Sequence, residues 1–236
     1  MQAVVLAGGL ATRLGELCAQ TPKSLVRVAG RPFVAWQLER LASCGFDEVV
    51  FCVAHLSTPI QDFVGSGSTY GLRVSYSDDG PHLLGTGGAL RRALPLLRSS
   101  FVVTYGDSYL PFDYAAPLAD LDAHPQALGT LAVYPNHNRW EASNTQVEGQ
   151  WVRRYAKGLR DPALDHIDYG AMALRVAVLE RYPAAQRFGL DQVQRETAAA
   201  GRLRALVAAE RFYEVGSVAG IAELERYLGQ GAASPR

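Results

Sequence analysis

No charge excess of either sign marks this chain of 236 residues, in which 23 Lys and Arg balance 23 Asp and Glu. No overall field draws it to nucleic acid or to an anionic membrane, so any polyanion must be held by local charge. Cysteine is scarce: Cys18, Cys44 and Cys52 are odd in number and lack C-x-x-C spacing, which argues against a disulfide framework or a structural zinc site. The five histidines, His55, His82, His124, His137 and His166, show neither H-x-x-x-H nor H-E-x-x-H spacing, and no chemistry is assigned to them. No apolar run approaches the roughly 20 residues needed to span a bilayer, and Met1 leads straight into a strand without a basic, then apolar, leader. A cytoplasmic protein is expected, with neither membrane nor nucleic acid as partner. Internal repeats, heptad seams and low-complexity tracts are also missing, which removes solenoids and coiled coils.

What is present is an alternation of β-branched apolar runs with helix-period segments, the pattern of βαβ units around a mostly parallel sheet. Strands are expected at Gln2–Ala7, Glu48–Ala54, Arg73–Ser77 and Phe101–Tyr105. A helix with Pro32 in its first turn runs to Gly45, a short one covers Thr58–Val64, and Thr86 caps a third that runs to about Leu94. The second half reads as successive strands at Leu128–Tyr134, Asn144–Val147, Val152–Tyr155 and Tyr169–Leu174, then a helix at Leu190–Ala200, an edge strand at Arg204–Ala208 and a closing helix at Val218–Leu228. The expected fold is an open α/β sheet, doubly wound and mostly parallel, turning partly antiparallel in its second half. One domain covers 1–230, with halves of about 1–110 and 111–230, and 231–236 form a frayed tail.

The chemistry concentrates where the first strand breaks. Leu6-Ala7-Gly8-Gly9 places bare backbone N–H groups at a strand's carboxyl end, and Thr12, Arg13 and Lys23 follow within one loop's reach. Glycines let backbone approach a phosphate closely, Arg13 can fork onto its oxygens, and Lys23 adds a point charge. Rival phosphate motifs fail: G-x-x-x-x-G-K-[ST] does not occur, and Gly65-Ser66-Gly67-Ser68-Thr69-Tyr70 is a partial G-x-G-x-x-G that follows a helix instead of a strand. Leu84-Gly85-Thr86-Gly87-Gly88 opens a helix with small residues, which suits either a helix cap or a flat base lying against backbone. Gly106-Asp107 sets a carboxylate just past a buried strand, where a hard divalent ion could bind, although strand-end Asp is also common in plain turns. Neither Ser24 nor Cys18 has a recognisable base partner, so no covalent nucleophile is assigned.

These motifs closely resemble the signature L-A-G-G-x-G-T-R-L…P-K of the sugar-1-phosphate nucleotidyltransferases, and slightly more the heptose-1-phosphate guanylyltransferase branch. Ala11 stands where that family usually has Gly. The resemblance implies a Rossmann-like nucleotidyltransferase fold, a sugar-binding second half, and a role in making nucleotide sugars from a nucleoside triphosphate and a sugar 1-phosphate. It implies nucleotide binding by Leu6, Ala7, Gly8, Gly9, Thr12, Arg13, Lys23, Gly85, Thr86, Gly87 and Asp107, with Arg13, Lys23 and Asp107 catalytic. Mg²⁺ would be held by Asp107 and by Glu214, where the family's W-x-D-x-G-T has Asp. Lys157 resembles the E-K-P lysine that holds the acceptor phosphate, with Ala156 and Gly158 replacing its neighbours. Asp168 and Gly170 resemble the N-x-G-x-Y segment of the sugar pocket, which Asn144 joins. GTP with a heptose-like or cyclitol-like 1-phosphate is the favoured substrate pair, and a homodimer is allowed. The alternatives are a uridylyltransferase on an amino sugar 1-phosphate, a cytidylyltransferase on a non-sugar alcohol phosphate, and a catalytically silent nucleotide-sugar sensor.

Overall fold

The computed structural model describes residues 1–9, 21–54, 56–80 and 82–230. Its first half is a parallel sheet. The strands β1 (Gln2–Leu6), β4 (Glu48–Val53), β5 (Arg73–Asp78) and β6 (Ser100–Tyr105) pair in the order β5-β4-β1-β6, all parallel. A two-residue hairpin, β2 (Arg27–Val28) and β3 (Arg31–Pro32), precedes α1 (Phe33–Ser43). The other helices of this half are α2 (Ser57–Val64) and α3 (Gly85–Ala93).

The sheet is doubly wound because β1 is buried at every position and apolar from Ala3 to Leu6. With a side-chain period of two, Ala3 and Val5 face one core and Val4 and Leu6 the other. The first core takes Val34, Leu38 and Leu41 of α1 and Ile60 and Val64 of α2. The second takes Ala89 and Leu90 of α3. The chain leaves β1 toward β4 on one side and later returns to β6 on the other. The β1/β6 boundary is therefore a topological switch point, where open α/β sheets leave a crevice beyond their strand ends.

The second half continues the same sheet with β8 (Gly129–Pro135), β9 (Thr145–Glu148), β10 (Trp151–Tyr155), β11 (His166–Arg175) and β12 (Leu203–Val207), in the order β6-β11-β8-β12-β10-β9. Here the pairing turns largely antiparallel, with only β12 on β8 parallel. The expected class is thus met as a mixed α/β sheet whose parallel part lies in the first half. Helices α4 (Ala116–Ala123), α5 (Ala177–Glu180) and α6 (Leu190–Ala199) cover it, while β7 (Ser108–Tyr109) pairs with β13 (Tyr213–Glu214) ahead of α7 (Val218–Gly229).

Two expectations need correction. Arg204–Ala208 is not an edge strand: β12 lies inside the sheet between β8 and β10. Its Arg204 is 4% exposed, donates at 2.7 and 2.9 Å to the two carboxylate oxygens of Asp120 on α4, and lies 5.2 Å from the ring centre of Trp151. A buried ion pair gave an interior strand the polarity of an edge. Thr86, moreover, does not cap α3, which begins at Gly85 with no side-chain cap. Its hydroxyl accepts the Leu190 N–H at the start of α6, at 2.8 Å.

Burial disfavours ionisation of Asp120, but Arg204 and Thr130 outweigh it and hold the carboxyl below its ordinary range. A lowered folded-state pKa means stability that is present at neutral pH and lost as pH falls below the ordinary carboxylate range. Replacing Asp120 with Ala strands the guanidinium and is expected to cost about 3 kcal/mol in urea unfolding at pH 7, with the difference from the parent shrinking toward pH 3.

Candidate active site

The carboxyl ends of all four parallel strands open on one cavity of about 320 Å³. The end of β1 supplies Leu6, Ala7, Gly8 and Gly9, β4 supplies Cys52 and Val53, Asp79 follows β5, Tyr105 ends β6, and Gly106 and Asp107 follow it. Close approach of β1 and β6 favours glycine: a Cβ on Gly106 would press to 3.1 Å on Ala7 Cα and on Leu6 O, and Gly106 N–H donates to Leu6 O at 3.0 Å. Buried Gln37 on α1 steadies this edge, its side-chain amide donating to the carbonyls of Tyr105 at 2.8 Å and Ser108 at 3.3 Å. Lys23, in the short turn Lys23–Leu25 ahead of β2, lines the cavity and donates to Asp107 Oδ2 at 3.0 Å.

The far end of the chain meets this point through backbone. Pairing of β13 with β7 sets Glu214 opposite Ser108, one residue from Asp107, and Val215 N–H donates to Asp107 O at 2.9 Å. Gly220 must lack a side chain, since a Cβ there would fall 2.1 Å from Glu214 O. Ser217 caps α7 behind it, accepting Gly220 N–H at 3.1 Å.

The residues expected on the acceptor side form a second cluster. Asp168 accepts from Gly170 N–H at 3.0 Å, Gln194 at 2.7 Å and the Tyr155 hydroxyl at 3.2 Å. Its own N–H donates to Asn144 Oδ1 at 2.8 Å, and Asn144 O accepts Ala156 N–H at 2.8 Å, which holds the exposed Lys157 alongside. Burial pushes the Asp168 carboxyl upward, against these hydrogen bonds and the nearby Lys157 charge. A register shift in β11 between Asp168 and Met172 leaves Gly170 at φ +97°, backbone that favours glycine.

Tyr105 is the seam between the clusters. It lines the cavity, and a Cβ on Gly170 would lie 3.7 Å from its ring. Burial, then the charges of Asp168, Asp107, Asp191 and Glu214, raise its phenol well above the usual value, so it is neutral at physiological pH.

Of the expected nucleotide-side residues, Leu6, Ala7, Gly8, Gly9, Lys23, Gly85, Thr86 and Asp107 all border the cavity, whereas Gly87 does not. Thr12 and Arg13, with Ala11 and Cys18, lie outside the described residues, as does His55. The small residues of α3 accept a neighbouring segment: Gly87 and Gly88 N–H donate to Phe188 O at 3.0 and 3.1 Å, and a Cβ on Gly87 would sit 2.4 Å from the Phe188 ring. Four participants went unread in the sequence, namely Asp79, Tyr105, Arg187 and Gln194. Tyr105 adjoins the Gly106-Asp107 pair and Asp79 follows a strand directly, which are usable signals; Arg187 and Gln194 carry none. Among the described residues no group of three or more His, Cys, Asp or Glu could hold a metal, and no helix is long and apolar enough to cross a membrane.

A glycine-lined crevice beyond the carboxyl ends of parallel strands, with a lysine at its mouth, defines a nucleotide-binding α/β architecture. The chain belongs to the MobA-like NTP transferase domain family, whose model matches residues 3–175. It is 37% identical over 142 residues to the N-acetylmuramate alpha-1-phosphate uridylyltransferase of Neisseria meningitidis, a match covering 58% of this chain and 62% of that protein. It is 24% identical over 217 residues to the D-glycero-alpha-D-manno-heptose 1-phosphate guanylyltransferase of Campylobacter jejuni, covering 92% and 95%. In fold it matches a crystal structure described as a glucose-1-phosphate thymidylyltransferase from Bacillus anthracis with TM-score 0.83 at 16% identity, over 98% of this chain and 96% of that one.

The contact between α3 and the Phe188 segment is directly testable. Gly85 has φ +73°, and a Cβ there would lie 2.6 Å from Phe188 O. Gly85→Ala is therefore expected to cost about 2 kcal/mol from left-handed backbone strain and overpacking, read as a fall in Tm of about 5 °C.

Proposed function

We propose that this protein transfers a nucleotidyl group from a nucleoside triphosphate to a sugar 1-phosphate, releasing pyrophosphate. The observation that carries the reading is the Lys23 to Asp107 pair at 3.0 Å on the cavity rim, with the Glu214 strand docked one residue away. In the reaction an oxygen of the sugar 1-phosphate attacks the α-phosphorus, a new P–O bond forms, the bond to the β-phosphate oxygen breaks, and pyrophosphate departs with the electron pair. Two anions must meet, so catalysis is mostly positioning and charge neutralisation. No general base is needed, because a phosphate monoester is ionised near pH 7.

The residues present fit a magnesium ion. Asp107 and Glu214 offer hard carboxylate oxygens, the type Mg²⁺ takes one or two of beside substrate phosphates and water, and Asp107 already holds a cation in the Lys23 ammonium. Asp107 and Glu214 would hold it, and when bound it supplies charge neutralisation on the phosphate oxygens. Lys23 and Arg13 offset the remaining triphosphate charge. On the other side of Tyr105, Lys157 holds the acceptor phosphate while Asp168, Asn144 and the backbone at Gly170 face the sugar. Backbone N–H groups of Gly8 and Gly9 cradle the triphosphate, with Leu6, Ala7, Gly85 and Thr86 serving the nucleoside end, while Gly87 faces the Phe188 segment and takes no part. Because one sheet takes strands from both halves, residues 1–230 act as a single catalytic unit, and a homodimer is compatible with it.

GTP with a heptose-like or cyclitol-like 1-phosphate is the favoured pair, supported by the guanylyltransferase relative that matches nearly end to end. The uridylyltransferase relative supports UTP with an amino sugar 1-phosphate as the second reading, although the match spans 62% of that protein. A grid of nucleoside triphosphates against sugar 1-phosphates, followed by pyrophosphate release, separates them, and release with no pair would overturn the activity itself. Asp107→Ala and Lys23→Ala are each expected to lower turnover at least about a hundredfold, as loss of a charge-stabilising group does. Chelation of the divalent ion should abolish release, and its re-addition restore it.

A further inference from the structure

The loop between β8 and β9 is tightly built around a conformation that side chains resist. Its backbone is left-handed at His137 (φ +46°) and Asn138 (φ +59°), neither of them glycine. Buried Asn136 ties the loop into a knot: its side-chain amide donates to Glu141 O at 2.7 Å and Ser143 Oγ at 3.1 Å, and its Oδ1 accepts Trp140 N–H at 3.2 Å. Ser143 N–H donates to Asn138 Oδ1 at 2.9 Å, and Asn138 N–H to Ser143 Oγ at 3.0 Å. Asn136 and His137 N–H both donate to Asp165 O, which docks the knot on the chain entering β11. The knot runs straight into Asn144, which holds Asp168 and the Lys157 segment. Yet Trp140, its one large apolar side chain, stays 42% exposed, so burial of that ring does not explain the strained backbone.

The guanidinium of Arg211, between β12 and β13, does. It lies 4.0 Å from the centre of the Trp140 ring and 4.7 Å from that of Tyr213, within range of cation–π attraction to both, and its Nη2 donates to Glu223 on α7. Tyr213 in turn packs on Tyr227 of α7, ring centres 4.7 Å apart, and Tyr227 meets Tyr109 of β7 at 6.2 Å. A continuous row of side chains thus leads from the loop ahead of Asn144 to the β7/β13 pair, where Tyr213 precedes Glu214 and Tyr109 lies two residues past Asp107. Packing that is contiguous in this way can carry energetic coupling between two sites.

We infer that Arg211 is a positioning residue, clasping Trp140 and Tyr213 so that the loop ahead of Asn144 and the strand carrying Glu214 are set as one body. Filling of the phosphate side at Asp107 and Glu214 then orders the acceptor-side loop before the acceptor arrives, and by linkage an acceptor tightens the phosphate side by the same factor. Arg211 itself touches neither substrate. Lysine cannot replace it, because an ammonium is a point charge without planar faces to lie between two rings. This inference rests on the proposed reaction, since it needs phosphate and cation to gather at Asp107 and Glu214.

The test uses magnesium pyrophosphate, the leaving group with its cation, which suits the phosphate side whatever the base or sugar. Calorimetry on the full chain gives its affinity, and amide hydrogen exchange follows Trp140, Ser143 and Asn144, whose N–H groups are all hydrogen-bonded and report opening of the loop. Saturating magnesium pyrophosphate is expected to slow these amides at least about fivefold in the parent and in Trp140→Phe, which keeps a ring against the guanidinium. In Arg211→Lys and Trp140→Ala, with Tm checked, the slowing should fall below about twofold. Binding without slowing in the parent, or equal slowing in the parent and either of these two variants, would overturn the role of Arg211 while the proposed reaction stands. If Arg211→Lys does not fold, Trp140→Ala, at an exposed position, decides alone. Failure of magnesium pyrophosphate to bind the parent would overturn the proposed reaction and this inference with it.

Discussion

The close approach of β1 and β6 at the switch point governs the site. The two strands carry their hydrogen-bond ladder to the last residue and then part, and Gly106 against Ala7 and Leu6 eases this because a Cβ there would be a tight contact at 3.1 Å. That contact fixes where Gly8 and Gly9 leave one strand and Asp107 leaves the other. Lys23 then bridges the opening onto Asp107, and Gln37 clamps the β6 end to α1 beneath it. A looser junction would leave two glycines and a carboxylate on a loop surface, where a hydrated phosphate gains little over water.

Charge is arranged to match. The chain as a whole is neutral, yet four carboxylates, Asp107, Asp168, Asp191 and Glu214, act together on the partly buried Tyr105. They lie at the join between the cavity and the Asp168 cluster, with Lys23 lining the first and Lys157 beside the second. Negative groups in that number are costly inside a protein unless paired. Asp168 is met by three hydrogen bonds, and Asp107 by an ammonium. An arrangement of this kind suits a site where cations and phosphates exchange partners.

Much of this architecture was legible in the sequence, for reasons tied to particular residues. The apolar, β-branched stretches of β1 and β6 announced strands buried on both faces, and the Gly-Gly and Gly-Asp breaks announced their ends. The Pro-led α1 stopped at Gly45, whose φ is +82°. What stayed hidden depended on partners distant in sequence. The two-residue strands β7 and β13 exist only because each pairs with the other, and α4 has little amphipathic pattern to read. Arg204 misled because the aspartate that neutralises it lies 84 positions away. The glycines of Leu84–Leu90 were visible, but the Phe188 segment packed against them was not.

Helix α6 shows how the two sides of the site are held in one frame. Its first residue, Leu190, gives its N–H to Thr86, whose α3 lines the nucleotide side. Asp191 adds its charge to the field on Tyr105 at the seam. Gln194, one turn further along and buried, holds Asp168 on the acceptor side. Three successive functions thus fall within five residues of one rigid element, a span of about 6 Å at 1.5 Å per residue. The Phe188 segment immediately before it fills the space that the glycines of α3 leave open. Thr86 of α3 and Asp168 of β11 are thus hydrogen-bonded to one helix, four residues apart along it.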